Sequence, residues 1–267
     1  MDIFHSVILG VVQGLTEFLP VSSSGHLIIF RDIFGLQVDY GLAFDAVLQL
    51  ATTLAVFIYF RKDILKYIKN FFLWVFQKDV SASDKNLIKA LIWGTVPAII
   101  LGLMLEDLMD SVFRNSNLVA LSLIIGSLIM LFAEKKKPNN LKIADVNAVK
   151  GFIIGLFQAL ALVPGMSRSG MTISGGLFSG FSREEATRFS FLLAFPILVG
   201  SGLKKLLDLF QYNLIDTIGI DLLFGSVAAF IVGLLAIHFL IKFLKNHSLK
   251  VFVWYRVIVA VLILLFI

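Results

Sequence analysis

Cysteine is absent from the chain, which excludes disulfides and thiolate chemistry and leaves the redox compartment unread. Charge is scarce at 15% of residues, against about 25% in soluble domains. There is no polar low-complexity tail, no basic stretch before the first apolar run, and no soluble domain. What remains is 58% hydrophobic, with a mean hydropathy of +0.93. That balance identifies an integral membrane protein. The net charge of +5 does not point to nucleic acid, because the basic residues cluster in short loops between apolar runs, where they set topology first and attract anionic lipid second.

Six runs have the length and apolarity of spans: 41–60, 87–105, 118–133, 186–203, 222–241 and 249–267. Two further apolar segments, near 1–36 and 148–182, are broken. Residues 10–25 read GVVQGLTEFLPVSSSG and residues 155–170 read GLFQALALVPGMSRSG. Gly10, Gln13, Leu15, Ser22, Ser24 and Gly25 each recur 145 residues later, as Gly155, Gln158, Leu160, Ser167, Ser169 and Gly170. The expected fold is all-α and membrane-embedded, a single membrane domain over 1–267. It is an inverted-topology repeat of about 1–133 and 148–267, each half one re-entrant helical hairpin followed by three spans. Lysine-rich loops at 61–89, 134–150 and 242–250 face the cytoplasm, and the acidic loop 106–117 with both termini faces outside. Lys204 and Lys205, on the outer side, run against this assignment.

Breaks in mid-membrane free backbone N–H groups, which are tolerated only where they line a cavity or pack inside protein. Paired breaks in two halves mark a site at the repeat interface. The first break carries Glu17, with Gln13 one turn earlier on the same helix face, then Ser22, Ser23, Ser24, Gly25 and His26. The second carries Arg168 among Ser167, Ser169, Gly170 and Thr172. An ionisable residue in an apolar segment points into a cavity by default; the alternative is a structural Glu17–Arg168 ion pair. Arginine offers phosphate a planar fork of donors, and glycine turns with helix N-termini hold anions. Glu17 and His26 supply a base or nucleophile. Asp45, Gln49 and Arg256 are weaker second candidates. Arg183 and Arg188, beside Glu184 and Glu185, read as a solvated edge. These features fit a lipid substrate with a phosphate or pyrophosphate head.

The stretch QGLTEFLPVSSSGH resembles the (E/Q)-x-x-x-E motif and following serine–glycine–histidine turn of bacterial undecaprenyl-pyrophosphate phosphatases, the bacitracin-resistance family. PGMSRSGMTISGG resembles that family's second signature, and FSREEATRFSFLLAFP extends the likeness across the chain. The resemblance implies hydrolysis of the C55 pyrophosphate to the monophosphate and inorganic phosphate, which recycles the carrier lipid of wall synthesis. It implies catalytic roles for Glu17, His26 and Arg168. Substrate binding falls to Gln13, Ser22, Ser23, Ser24, Gly25, Ser167, Ser169, Gly170 and Thr172. It further implies a divalent cation, Mg²⁺ or Ca²⁺, with Glu17 as a ligand. The expected location is the bacterial cell membrane with the site opening outward, and a homodimer is one compatible assembly. Gln13 stands where some members carry Glu. His26 as nucleophile, and Glu17 with His26 activating a serine or water, both remain open. A polyprenyl-phosphate transporter or flippase is the rival reading, since broken inverted repeats are also transporter architecture.

Overall fold

The computed structural model describes residues 3–35, 41–105, 115–136, 139, 141–211 and 215–266. These fold as α1 (Ile3–Phe18), α2 (Ser23–Phe34), α3 (Gly41–Tyr59), α4 (Arg61–Val75), α5 (Ala82–Met104), α6 (Ser116–Lys135), a 3₁₀ turn at Ile143–Asp145, α7 (Ala148–Leu160), α8 (Arg168–Phe178), α9 (Arg183–Gln211), α10 (Ile215–Asn246) and α11 (Lys250–Phe266). Both expected breaks fall where the sequence places them. α1 stops two residues before Pro20, and α7 stops four before Pro164, since proline has no N–H to continue a helix and restrains the residue before it.

Packing follows the sequence repeat. α1 lies along α10, and α7, its counterpart, lies along α5, the counterpart of α10. α3 packs on α9, and α6 on α11, each helix against its own equivalent. Exchanging the halves therefore maps the major contacts onto one another. The long crossings depend on small residues, as expected where helices associate without a hydrophobic drive from water. Gly10 sits against the backbone of Gly225, Gly151 against Ala90, and Gly155 against Gly94, so close that a Cβ on any of these glycines would strike main-chain atoms.

Four described helices are long and apolar enough to cross a bilayer, within 82–104, 116–135, 183–204 and 220–246. A fifth is reached if Phe44–Tyr59 with Arg61–Val75 is taken as one bent span, though these two meet at 88°. The sixth expected run forms α11, a helix of 17 residues. The main departure from the sequence reading is α4: residues 61–75, expected as loop, form a helix turned across the end of α3. Residues 106–114 of the acidic loop, and Lys137, lie outside the described residues.

Gly10→Val should lower the melting temperature of the detergent-purified protein markedly, because its new side chain meets backbone that cannot move aside; overpacking costs about 1–3 kcal/mol or more. Gly200→Ala, at a helical position with open space around it, should leave the melting temperature unchanged or raise it. Equal behaviour of the two variants in a thermal melt would contradict the close crossing of α1 and α10.

Candidate active site

The two breaks end in the same local structure. Ser22 and Ser167 have φ of 78° and 71°, the left-handed region where a non-glycine residue costs about 1–3 kcal/mol. Each nevertheless caps the next helix. Ser22 Oγ accepts from the Gly25 N–H at 3.4 Å, and Ser167 Oγ accepts from the Gly170 N–H at 3.2 Å. Each cap also touches the hydroxyl two residues on, Ser24 at 3.4 Å and Ser169 at 3.2 Å. A Cβ at Gly170 would press on the Ser167 cap and on Met130, so the helix start admits only glycine comfortably.

The turns then meet. The Gly165 N–H donates to Ser22 Oγ at 3.1 Å, and Ser169 Oγ donates to the Leu19 carbonyl at 3.1 Å. Glu17, whose side chain is 1% exposed, is the centre of the junction. One of its oxygens accepts from Gln13 Nε2 at 2.8 Å and from Ser23 Oγ at 2.6 Å, and the other is ion-paired to Arg168. Ser23 and Arg168 stand 145 residues apart and so occupy equivalent places in the two repeats. Both converge on the one carboxylate, while the position equivalent to Glu17 is Leu162. Thr172 anchors the second turn, donating to the Arg168 carbonyl at 2.8 Å and sharing a 2.5 Å hydrogen bond with Ser190 of α9.

The structural ion pair weighed above is therefore present. It does not exhaust the arginine: among the described residues Glu17 is the one group bonded to the Arg168 guanidinium. Its remaining N–H donors, at the N-terminus of α8 and beside that of α2, are available to an anion.

His26 is held by two hydrogen bonds. Its Nδ1 lies 2.7 Å from the Ser22 carbonyl, which can only accept, so Nδ1 carries the proton. The other nitrogen, Nε2, accepts from the Tyr255 hydroxyl at 2.8 Å, with the two rings nearly parallel. Glu17 bonds neither nitrogen of His26, because both have other partners. Asp45 is bound to Arg31 through two hydrogen bonds of 2.6 and 2.5 Å, and Gln49 contributes its carbonyl to Thr52 and Thr53; neither joins the junction. Arg183 and Arg188 are not a simple solvated edge, since they pair across the fold with Glu134 and Asp63.

Arg256 of α11 is more central than its sequence suggested. It is fully buried, and among the described residues it has no carboxylate within hydrogen-bonding distance. Its Nε donates to Ser127 Oγ at 3.0 Å, Nη1 to the carbonyls of Pro20 (3.3 Å) and Met166 (3.2 Å), and Nη2 to those of Leu123 (3.2 Å) and Gly165 (2.9 Å). All five donors are used, and they tie both breaks to α6. The signal available beforehand was an arginine inside an apolar run.

Among the described residues no three of His, Asp and Glu come together as a metal site. Gln13 Oε1 is buried without a hydrogen bond, as is Oε1 of its counterpart Gln158 in the second repeat, but only Gln13 is bonded to a carboxylate, that of Glu17. A carboxylate and a carbonyl oxygen suit a hard divalent cation that takes its other ligands from phosphate and water. The donor set fits such an ion as a partial shell.

The model of the family described as "Bacitracin resistance protein BacA" matches residues 6–262. Curated relatives named undecaprenyl-diphosphatase include proteins of Thermobifida fusca (42% identical over 265 residues, 99% of this chain and 90% of the relative), Myxococcus xanthus (41% over 265 residues, 99% and 89%) and Geotalea daltonii (40% over 268 residues, 100% and 99%).

Arg256→Lys leaves at least two buried acceptors without a donor. At about 1–3 kcal/mol for each unsatisfied group, and 2–4 °C per kcal/mol in a chain of about this size, the melting temperature should fall by about 4 °C or more. Ser127→Ala removes one acceptor from the same cluster and should cost less. A lysine variant as stable as wild type in a thermal melt would contradict the assignment.

Proposed function

The chain belongs to the bacitracin resistance protein BacA family, and from that premise we propose that the junction of the two breaks hydrolyses undecaprenyl pyrophosphate. Water attacks the terminal phosphorus, the bridging P–O bond breaks, and undecaprenyl phosphate and inorganic phosphate leave. The protein is an undecaprenyl-diphosphatase of the membrane, acting on a polyprenyl pyrophosphate, and its activity underlies bacitracin resistance. The observation that carries this reading at the level of residues is a half-buried arginine with unengaged donors, set between two serine-capped helix N-termini and braced by one buried carboxylate.

The roles follow from the bonds. Arg168 takes non-bridging oxygens of the pyrophosphate with the N–H groups that Glu17 leaves over, while the Ser24 hydroxyl and the N-termini of α2 and α8 complete an anion cradle. Glu17 fixes the guanidinium plane and keeps its charge in place after desolvation. His26 is set by the Ser22 carbonyl with a lone pair on Nε2, the arrangement needed to take a proton from the attacking group once Tyr255 yields. Glu17 and Gln13 Oε1 would hold a divalent cation; such an ion neutralises charge on the leaving phosphate when bound.

The exchange of helix contacts between halves, together with the lysine-rich loops, supports the finer architecture: six spans in an inverted repeat, lysine loops in the cytoplasm and the site opening outward.

Purified protein given a C55 or C15 isoprenyl pyrophosphate should release phosphate, and a chelator should slow it; no release in the presence of Mg²⁺ or Ca²⁺ would contradict the reading. Arg168→Lys should lower kcat/KM by about 10²–10³-fold, the usual cost of a lost transition-state donor, because lysine keeps the charge without the fork. Near-normal turnover would make Arg168 structural. A cysteine placed at Lys78, exposed between α4 and α5, should resist an impermeant thiol reagent in intact cells; labelling there would overturn the orientation.

A further inference from the structure

The corner between α3 and α4 has features that the junction does not use. α4 turns 88° from α3, the orientation of an interfacial helix at the end of a span, in which basic residues face headgroups and apolar ones face chains. Arg61, Lys62 and Asp63 at the start of α4, with Arg188 of α9, line a cavity of about 400 Å³. Asp63 is paired to Arg188 at 2.6 Å. Arg61 donates only to the Ile58 carbonyl, at 3.0 Å, and among the described residues neither it nor Lys62 has a carboxylate partner. The cavity therefore carries an excess of two positive charges.

Beside it, between α4, α5 and α9, runs an apolar cleft of about 540 Å³, lined by Ile64, Phe71, Leu91, Ile92 and Phe195 among others. The two are continuous in the chain. Ile64 follows Asp63, and Leu192, also in the cleft, lies one turn beyond Arg188 on the same face. Tyr67, on the cleft wall, is within electrostatic reach of Asp63 and Arg188. A cationic basin with an acyl-sized apolar slot beside it has the chemistry of an anionic lipid site.

We propose that this corner binds an anionic glycerophospholipid of the surrounding leaflet, with its phosphodiester among Arg61, Lys62 and Arg188 and an acyl chain in the cleft. The bound lipid is a structural ligand rather than a substrate. Phe60, which lines the basin, packs on Phe191 at 5.9 Å between ring centroids, and Phe191 packs edge-on against Phe18 at 5.5 Å. These three rings stand between the basin and Glu17. A phosphate held here meets Arg61, Lys62 and Arg188, beside an Asp63 carboxylate already paired to Arg188, and no imidazole.

The test uses full-length protein stripped of lipid in detergent, titrated with phosphatidylglycerol or with phosphatidylcholine of identical chains, and read by native mass spectrometry for retained lipid and by thermal melt. Phosphatidylglycerol should be retained and should raise the melting temperature more than phosphatidylcholine does. Arg61→Gln and Lys62→Gln should each weaken its apparent affinity about fivefold, and the pair about 25-fold. Ile92→Trp, which fills the cleft, should weaken it with the charges intact. Lys135→Gln with Lys250→Gln, an equal loss of charge at the ends of α6 and α11, should leave it unchanged. Equal retention of the two lipids, or an equal loss in this control, would overturn the site. Displacement of phosphatidylglycerol by an equimolar polyprenyl phosphate would also overturn it, assigning the corner to the carrier lipid instead.

Discussion

Backbone carbonyls freed inside an apolar bundle must find donors, and in this protein one guanidinium supplies them. Arg256 reaches the Pro20 carbonyl in the first break and those of Gly165 and Met166 in the second, and it is held by Ser127 and the Leu123 carbonyl of α6. Five neutral acceptors in place of a counter-ion keep its charge solvated without adding a carboxylate near the junction. Without it, two interrupted helices would each leave polar backbone in a space with no water to satisfy it. With it, the interruptions come together, and the strained serines at Ser22 and Ser167 are held in register against each other.

That register turns a symmetric scaffold into an asymmetric site. The caps, the serine pairs and the small-residue crossings recur in both halves, but the charges do not. Glu17 has Leu162 as its counterpart, Arg168 has Ser23, and His26 has Met171. Ser23 and Arg168, alike in position, arrive at the same carboxylate from opposite sides. Each half alone provides a helix N-terminus and hydroxyls, which attract an anion weakly, about 0.3–1 kcal/mol per helix. Only the pair provides the arginine together with the carboxylate that orients it. Breaking a buried pair of this kind costs about 3–5 kcal/mol, so an incoming phosphate does better to share the guanidinium than to replace Glu17.

Much of this was legible in the sequence because the repeat is written in identical residues at a fixed interval, and because proline, serine and glycine punctuate helices by local chemistry. The breaks, the long apolar helices and most of the junction follow from that. The partners of side chains were less legible. Glu17 and Arg168 lie 151 residues apart, and their pairing could be entertained but not read. His26 and Tyr255 lie 229 apart, and nothing local distinguishes Tyr255 from any other aromatic of an apolar run. Arg256 was underrated for the same reason: its partners are carbonyls, which every residue has. The turn of α4 across the end of α3 was missed because a lysine-rich amphipathic helix and a lysine-rich loop share a composition.

If Arg256 serves the reaction by holding the two turns in register, its contribution passes through Arg168. Measuring kcat/KM for phosphate release in Arg256→Lys, Arg168→Lys and the double variant separates this from an independent role. The account predicts that the double variant is about as slow as the slower single one, since a misplaced turn and a wrong cation spoil the same contact. Losses that multiply, with each substitution exerting its full effect in the presence of the other, would contradict it.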